Sequence, residues 1–281
     1  MNTNRRNFLK ISGLSMAAAA VPSAVFSAIQ PRPENKLQFQ LGIASYSLRK
    51  FPTEKALDFT RKLNIDYISF KDFHLPLTAD AETFRNTLQM CSDRGITLYA
   101  GGVIYMKTEA EVDRAFEYAK NAKFKMIIGV PNHELLPYVE NKVKQYDIML
   151  AIHNHGPGDK LYPSAESAYV RIKNMDKRMG LCIDIGHTKR IDRNPSDDLK
   201  DYFDRVLDVH IKDVTENTAK GSTCEVGRGV IDIPHFLQTL IDLKYKGIVA
   251  LEYEKDADDP FAGMAESIGY TRGVLEMMTR K

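Results

Sequence analysis

The 281-residue sequence lacks the excess of positive charge that marks nucleic-acid-binding proteins. Its 39 lysines and arginines nearly balance its 37 aspartates and glutamates, and the formal net charge is +2. The first 28 residues contain Arg5, Arg6 and Lys10 and no acidic residue, so the rest of the chain is closer still to neutral. A near-neutral body offers no basic surface to a phosphate backbone, which argues against nucleic acid as a partner.

Cysteine is scarce as well. The three cysteines, Cys91, Cys182 and Cys224, are too few and of the wrong parity for a disulfide framework, and they fit either cellular compartment. Cys182 shares strand parity with Asp184, so we expect it to face the interior of the fold. No linker or low-complexity stretch follows the N-terminal segment, and the 43% of hydrophobic residues suffice for a sizeable core. The sequence therefore predicts one domain after that segment.

The N-terminal segment has the pattern of an export signal. Residues 4–10, Asn-Arg-Arg-Asn-Phe-Leu-Lys, resemble the twin-arginine motif, and an alanine-rich apolar stretch follows from Ile11 to Val21. The stretch is too short to span a membrane, and no cysteine near the small residues 23–28 indicates a lipid anchor. We expect residues 1–28 to be a twin-arginine signal peptide and the mature protein to be periplasmic, without a stable membrane anchor. An amphipathic or disordered tail is the alternative.

Short apolar runs alternate with helical patterns from Leu37 onward. The predicted strands are Phe39–Ala44, Tyr67–Phe70, Thr97–Ala100, Met126–Gly129, Ile148–Ile152, Gly180–Ile183, Val206–Val209 and Ile248–Leu251. The predicted helices open at Thr53 and cover Ala81–Arg94, Glu109–Asn121, His133–Gln145, Ser164–Asn174, Ile233–Leu243 and about Glu266–Thr279.

This alternation predicts a single (β/α)8 TIM barrel of the α/β class over residues 29–281, which would be the catalytic domain. A doubly wound open sheet is the alternative fold. Such a sheet usually has a glycine-rich phosphate loop after its first strand, and residues 41–45, Leu-Gly-Ile-Ala-Ser, do not form one.

Four of the predicted strands are followed directly by a histidine or an acid, namely His153, Asp184, His210 and Glu252. Active sites of barrels lie at the carboxyl ends of the strands, so these side chains should converge. Two imidazoles and two carboxylates suit Mn²⁺, Co²⁺, Fe²⁺ or Zn²⁺ better than Mg²⁺. We therefore predict one divalent metal ion. A structural histidine and a capping aspartate are the alternative interpretations of His210 and Asp184, and spacing does not decide between His153 and His155 as the ligand.

Further polar residues follow strands at the same mouth. His187 comes three residues after Asp184, where it could contact a substrate or act as an acid or base, and Lys71 closes the second strand. We predict His187 and Lys71 as catalytic residues, although Lys71 could equally be a solvated loop charge. The predicted substrate-binding residues are His74, His155, Tyr46, Tyr105, Lys212 and Arg228.

Five short motifs carry a resemblance to a known family. In order they are His-Asn-His-Gly (153–156), Asp-Ile-Gly-His (184–187), His-Ile-Lys-Asp (210–213), Gly-Arg-Gly (227–229) and Leu-Glu-Tyr-Glu (251–254). From about Leu37 to its end the chain resembles the xylose isomerase-like barrel family, which includes sugar phosphate isomerases and epimerases, inosose dehydratase and endonuclease IV-type enzymes. The resemblance implies that Asp184, His210 and Glu252 bind metal and that His187 faces the substrate.

The fifth strand departs from this family. Ketose epimerases of the family have a glutamate ligand there, which is also one of two opposed acid/base carboxylates, whereas this chain has His153. The chain also resembles exported relatives that act on 3-keto-glycosides by 1,2-elimination, a reaction that does not need a symmetrical pair of bases.

The expected function is a metal-dependent removal of a proton next to a carbonyl group. Phosphorylated sugars are cytoplasmic, so an exported enzyme should act on an unphosphorylated sugar or keto-glycoside. We favour elimination. The alternatives are a sugar isomerase or epimerase proper and a non-catalytic periplasmic carbohydrate-binding barrel. A DNA-repair phosphodiesterase would need a multi-zinc cluster and a basic groove, which the sequence lacks. The expected partner is a small carbohydrate, and an oligomer is compatible with the sequence.

Overall fold

The computed structural model describes residues 37–279, so the predicted signal peptide of residues 1–28 lies outside the described part of the chain. Eight parallel strands close into a barrel. They are β1 (Gln40–Ala44), β2 (Tyr67–Phe70), β3 (Thr97–Met106), β4 (Met126–Pro131), β5 (Met149–His153), β6 (Met179–Asp184), β7 (Val206–Ile211) and β10 (Ile248–Leu251). Around the barrel they follow the order β1-β10-β7-β6-β5-β4-β3-β2. The prediction of a (β/α)8 TIM barrel is therefore confirmed.

Helices pack around the outside of the barrel. They are α1 (Thr53–Lys62), α2 (Ala81–Asp93), α3 (Glu109–Asn121), α4 (Leu136–Tyr146), α5 (Ala165–Ile172), α6 (Ile185–Arg190), α7 (Pro195–Asp201), α8 (Ile233–Asp242) and α9 (Phe261–Thr279). Short 3-10 turns cover Ser45–Leu48, His133–Leu135 and Phe203–Arg205. Within residues 37–279 we find no helix with the length and apolar character that a membrane span requires.

The burial pattern and the cap of α3, and the burial of the barrel strands, follow from the sequence. In α3, Val112, Ala115, Phe116 and Ala119 are buried, at the spacing that puts one face of a helix against a core. Thr108 caps the start of this helix, because its side chain accepts a hydrogen bond from N of Glu111. The barrel strands are mostly buried on both faces, as parallel strands covered by helices must be.

The structure extends the third predicted strand by six residues, from Ala100 to Met106. Gly101 and Gly102 suggest a break in the sequence, yet both lie within the strand. A Cβ atom at Gly102 would overlap the carbonyl oxygen of Ile128, and one at Gly101 would overlap the ring of Phe124. These glycines therefore mark a close approach of neighbouring groups rather than a turn.

Sequence reasoning missed four further elements. The helices α6 and α7 are short, and the side chains of Asp184 and Asn194 cap them. A small antiparallel pair, β8 (Asp213–Val214) and β9 (Thr223–Cys224), lies in the segment between β7 and α8. All four are too short for a periodic pattern to reveal them.

Candidate metal centre and active site

The four predicted metal ligands meet at one end of the barrel. His153 is the last residue of β5, Asp184 ends β6, His210 lies near the end of β7, and Glu252 follows β10. These strands are consecutive neighbours in the barrel, so their carboxyl ends share one arc of the mouth. One side-chain donor atom of each residue lies within 4.8 Å of those of the others, and all four residues are buried.

Hydrogen bonds hold the Asp184 carboxylate in place. Its Oδ1 atom accepts from the backbone N of His187 at 2.8 Å and caps α6, which leaves Oδ2 directed at the cluster. Asn154, one residue beyond β5, fixes the backbone of Asp184: its Oδ1 accepts from N of Asp184 at 2.9 Å, and its Nδ2 donates to the Asp184 carbonyl at 3.3 Å. The three-residue spacing of Asp184 and His187 thus reflects a helix cap, and it also brings both side chains to the site.

The donor spacing fits a single metal ion. Metal–donor bonds of about 2.1 Å place neighbouring ligand atoms about 3.0–3.4 Å apart. Nε2 of His153 lies 3.1 Å from Nδ1 of His210 and 3.7 Å from Oδ2 of Asp184, and Nδ1 of His210 lies 3.4 Å from Oε2 of Glu252. Oδ2 of Asp184 is buried and accepts no well-oriented hydrogen bond from residues 37–279. The four residues could therefore hold a divalent ion by small adjustments.

A lysine ammonium already lies against this cluster. Nζ of Lys212 is 3.0 Å from Oδ2 of Asp184 and 2.9 Å from Oε2 of Glu252, and it also pairs with Glu254. Burial opposes the charge on Lys212, but the three carboxylates outweigh it and raise the pKa of Lys212 well above its usual value. Burial likewise acts to raise the pKa values of Asp184 and Glu252, and the Lys212 charge reverses this and lowers both well below the usual range.

His153 and Glu252 of the cluster form part of the wall of a cavity of about 320 Å³. A polar and aromatic lining gives this cavity the character of a site for a small polar molecule. The lining residues are Tyr46, Lys71, Val103, Tyr105, His153, His155, His187, Glu252 and Glu254.

The two predicted catalytic residues lie on opposite walls of the mouth. Lys71 follows β2 and His187 lies in α6 directly after β6, and these strands are four places apart in the closed ring of eight. Lys71 donates through Nζ to the carbonyl of Val103 and lies 3.8 Å from Oδ1 of Asp72. Burial lowers the pKa of His187 to about 4, so its imidazole is neutral near pH 7.

The structure decides which strand-five histidine joins the cluster. His153 lies beside His210 and Asp184, and burial lowers its pKa to about 4, which leaves a ring nitrogen lone pair available. His155 instead pairs through Nε2 with the hydroxyl of Tyr105 at 3.1 Å, and the two rings stack with centroids 5.6 Å apart. His155 therefore lines the cavity beside the cluster.

Three of the predicted substrate-binding residues do not line this cavity. His74 is buried with Nε2 at 3.1 Å from the carbonyl of Phe51, because the turn after β2 folds it back into the protein. Arg228 is largely exposed and pairs with Glu266 on α9. The carboxylates draw Lys212 beneath the cavity surface.

Asp213 accounts for the two glycines of the Gly-Arg-Gly motif, which flank the predicted substrate-binding residue Arg228. Its carboxylate accepts hydrogen bonds from the backbone N atoms of Val214, Gly227, Gly229 and Ile231, at 2.9–3.2 Å. Gly227 adopts a φ of +94°, and a Cβ at Gly229 would overlap the Asp213 carboxylate. The glycines therefore allow the loop to wrap this one side chain.

Sequence reasoning also missed Glu254, Asn154 and Asp208. Glu254 and Asn154 stand in the Leu-Glu-Tyr-Glu and His-Asn-His-Gly motifs, two residues and one residue from predicted ligands, and this proximity was a usable signal. Asp208 lies inside the apolar run of β7, where it reads as an interruption of a strand, although it shares strand parity with His210.

Comparisons with known proteins agree with this architecture. A family model described as a xylose isomerase-like TIM barrel matches residues 133–274. No curated protein shows a significant match. An uncharacterised protein from Parabacteroides distasonis superposes with a TM-score of 0.67 at 24% sequence identity, covering 84% of this chain and 99% of that one.

Two structures of named enzymes share the fold. L-ribulose 3-epimerase superposes with a TM-score of 0.68 at 14% identity, covering 86% of this chain and 96% of its own. The 3-keto-D-glucoside 4-epimerase from E. coli superposes with a TM-score of 0.67 at 13% identity, covering 84% of this chain and 99% of its own. At these identities the superpositions establish a common barrel.

Proposed function

We propose, since this chain belongs to the xylose isomerase-like TIM barrel family, that it is a divalent-metal-dependent enzyme which removes a proton next to a carbonyl group of an unphosphorylated sugar or keto-glycoside. One observation carries the proposal. His153, Asp184, His210 and Glu252 converge beside a cavity that also exposes a candidate base, His187. Mn²⁺, Co²⁺, Zn²⁺ and Fe²⁺ all suit this donor set.

Different residues of the site can carry out different parts of a proton transfer. A divalent ion held by the four ligands would polarise the substrate carbonyl and acidify the adjacent C–H group. Burial lowers the pKa of His187 to about 4, so its imidazole is unprotonated near pH 7 and has a free lone pair that can accept that proton. The ammonium of Lys71 faces the cavity from the opposite wall, where it can donate a hydrogen bond or a proton to an oxygen of the substrate.

The cavity lining favours an unphosphorylated substrate. No arginine is among the described residues that line it, and Lys71 is the only lysine among them. Glu252 and Glu254 add negative charge to the same surface, which would repel a phosphate group. The aromatic rings of Tyr46 and Tyr105 offer flat apolar surfaces for the faces of a sugar ring.

Within this class we favour 1,2-elimination of a 3-keto-glycoside. His187 would take the proton from C2, a double bond would form between C1 and C2, and the C1–O bond to the aglycone would break. The leaving oxygen then needs one proton, for which Lys71 is the candidate donor. His153 at the position of the epimerases' glutamate supports this outcome. The likeness to a 3-keto-D-glucoside 4-epimerase supports a keto-glycoside as the substrate.

Epimerisation is the second candidate, and one observation favours it. Lys71 and His187 lie on opposite walls, so a proton removed from one face of the substrate could be replaced from the other. Elimination and epimerisation begin with the same step and differ in whether the adjacent C–O bond breaks.

One experiment separates the candidates. Metal-loaded mature protein is incubated in D₂O with a panel of 3-keto-glycosides and keto-sugars, and the products are followed by NMR. We expect release of the aglycone with an unsaturated keto-sugar. A deuterated stereoisomer without aglycone release would establish epimerisation, and binding without any exchange would indicate a carbohydrate-binding barrel.

Matched variants tie the activity to the site. His187→Gln should abolish deuterium exchange, whereas His235→Gln, a change at an exposed histidine on α8, should leave it intact. Asp184→Ala and Glu252→Gln should each lose metal by elemental analysis. Full metal content in both would contradict the ligand assignment.

A further inference from the structure

Asp208 lies one layer below the proposed metal centre, inside the barrel. In the pairing of β6 with β7, Asp184 stands beside His210 and Cys182 stands beside Asp208. Asp208 is fully buried, and its Oδ2 atom lies 3.4 Å from the hydroxyl of Tyr99 and 3.4 Å from Sγ of Cys182. Its other oxygen, Oδ1, has no hydrogen-bond partner in the described part of the chain.

This carboxylate has no lysine or arginine partner within residues 37–279. Its one basic neighbour is His210, whose Nε2 atom lies 3.6 Å from Oδ2 of Asp208. A buried acid without a strong partner costs free energy, and an apolar side chain of similar volume is often equally good or better for stability. A role in folding alone therefore does not account for Asp208.

The two ring nitrogens of His210 face different surroundings. Nδ1 points into the cluster, 3.1 Å from Nε2 of His153 and 3.4 Å from Oε2 of Glu252. Nε2 points down at Asp208 and makes no hydrogen bond to any of the described residues. A neutral imidazole carries its proton on one nitrogen only, and a neighbouring carboxylate favours the proton on the nitrogen that faces it.

We propose that Asp208 is a positioning residue that holds His210 with its proton on Nε2, so that the lone pair of Nδ1 is presented to the metal. The attraction acts at 3.6 Å, the length of an ion–dipole contact rather than of a hydrogen bond. The assignment rests on the proposed function, because it requires that the cluster binds a metal.

The test compares metal affinity and histidine tautomer in variants of the full chain. Asp208→Leu removes the acceptor at similar volume, Asp208→Asn keeps an acceptor without the charge, and Tyr99→Phe is the control that removes another contact of the same carboxylate. Affinity for Zn²⁺ is measured by competition with a chelator. The protonated nitrogen of His210 in the Zn²⁺-loaded protein is read from ¹⁵N shifts of labelled histidine.

We expect Asp208→Leu to weaken Zn²⁺ binding by about 10–100-fold, as the loss of such an orienting partner does elsewhere. Asp208→Asn should weaken it by less than tenfold but measurably, and Tyr99→Phe should leave it unchanged. In the wild type the proton of His210 should lie on Nε2, and in Asp208→Leu this preference should be lost. A purely structural role would lower stability without moving the tautomer.

Several results would overturn the assignment. Wild-type affinity in Asp208→Leu would do so, as would a proton on Nδ1 of His210 in the wild-type protein. If the leucine variant does not fold, unchanged affinity in Asp208→Asn is decisive. An intense thiolate-to-metal band with Co²⁺ would place Cys182 among the ligands instead, since His153, Cys182 and His210 could also hold an ion. A wild type without any metal affinity would overturn the proposed function as well, which keeps the two failures distinct.

Discussion

Nζ of Lys212 lies 3.0 Å from Oδ2 of Asp184, in an ion pair that is closed to solvent. The same ammonium pairs with Glu252 at 2.9 Å. Lys212 therefore neutralises, within the metal-free protein, carboxylates that the metal would otherwise have to neutralise. The loss of Lys212 should therefore change two quantities in opposite directions, the affinity for metal and the stability of the metal-free protein.

Replacement of Lys212 by methionine should raise metal affinity and lower the stability of the metal-free protein. The site loses a positive charge close to the metal, so we expect Zn²⁺ to bind at least about tenfold more tightly, which corresponds to ~1.4 kcal/mol. Without metal, the unpaired buried carboxylates should lower the free energy of unfolding by about 3–5 kcal/mol. Chelator competition and urea unfolding measure the two quantities.

Lys177→Met is the control for that variant, because Lys177 forms an exposed ion pair with Asp204. We expect this change to cost less than about 1 kcal/mol and to leave metal affinity unchanged. Weaker metal binding in Lys212→Met would instead show that Lys212 organises the ligands.

Removal of the metal should destabilise the wild-type protein without unfolding it, since Lys212 balances the buried carboxylates. A ligand present at 100 times its Kd stabilises the folded state by about 2.7 kcal/mol. For a domain of this size we expect the midpoint of thermal unfolding to fall by roughly 5–10 °C when a chelator replaces Mn²⁺ or Zn²⁺. Glu252→Gln should show a much smaller metal-dependent shift, and an equal shift in that variant would place the metal elsewhere.

Arg205 should be among the most sensitive positions for stability. Its side chain is 1% exposed. Its guanidinium donates hydrogen bonds to four backbone carbonyls, and these bonds hold the turn before β6. The accepting residues are Lys173, Met175, Asp176 and Met179. We expect Arg205→Met to lower the free energy of unfolding by about 3–5 kcal/mol, because buried acceptors lose their donors.

Urea unfolding tests this prediction. Arg205→Lys should recover only part of the loss, since one ammonium cannot donate to all four carbonyls. Arg61→Met, which removes an exposed ion pair with Asp66, should change the free energy of unfolding by less than about 1 kcal/mol. Equal effects of Arg205→Met and Arg61→Met would contradict a stabilising role for the hydrogen bonds of the Arg205 guanidinium.

Asp213→Ala should release the loop of residues 226–231. The backbone N–H groups of Gly227, Gly229 and Ile231 would lose their shared acceptor, and we expect their hydrogen exchange to accelerate by at least about tenfold, because each lost bond contributes on the order of 1 kcal/mol. Asp232→Ala removes the cap of α8 and should affect the first turn of that helix only. Unaltered exchange in the loop would show that its glycines hold it without Asp213.

The twin-arginine motif predicts that the protein is exported. Replacement of both Arg5 and Arg6 by lysine should leave the precursor in the cytoplasm, as detected by cell fractionation. The same double exchange at Arg85 and Arg114, two exposed residues of the barrel, should not affect export. Normal export of the Arg5→Lys, Arg6→Lys precursor would refute a twin-arginine signal.

The strands were largely predictable from sequence, because parallel strands covered by helices are apolar on both faces and read as short hydrophobic runs. The bounds of β2 and β10 agree with the prediction residue for residue. The end of β3 was not predictable, since glycine signals a break in the chain and close packing equally well. Which of the two applies at Gly101 and Gly102 depends on the partners Phe124 and Ile128.

The candidate site was predictable to the extent that strand order determines it. A closed parallel barrel brings the residues after β5, β6, β7 and β10 together whatever the side-chain details. The place of Lys212 was not predictable, because it depends on how far a flexible side chain reaches toward buried carboxylates. His74 followed a strand in sequence, but the local turn directs its ring away from the cavity.

The strand order also assigns the two halves of the chain to different parts of the site. All four proposed ligands come from residues 153–252, on one continuous arc of the barrel, whereas Tyr46, Lys71 and Tyr105 line the cavity from the first half. Among the described barrel strands, the two halves pair with each other at two places, β4 with β5 and β1 with β10. A chimera that combines the second half of this protein with the first half of a related barrel should therefore keep its affinity for metal while acquiring the other protein's choice of sugar.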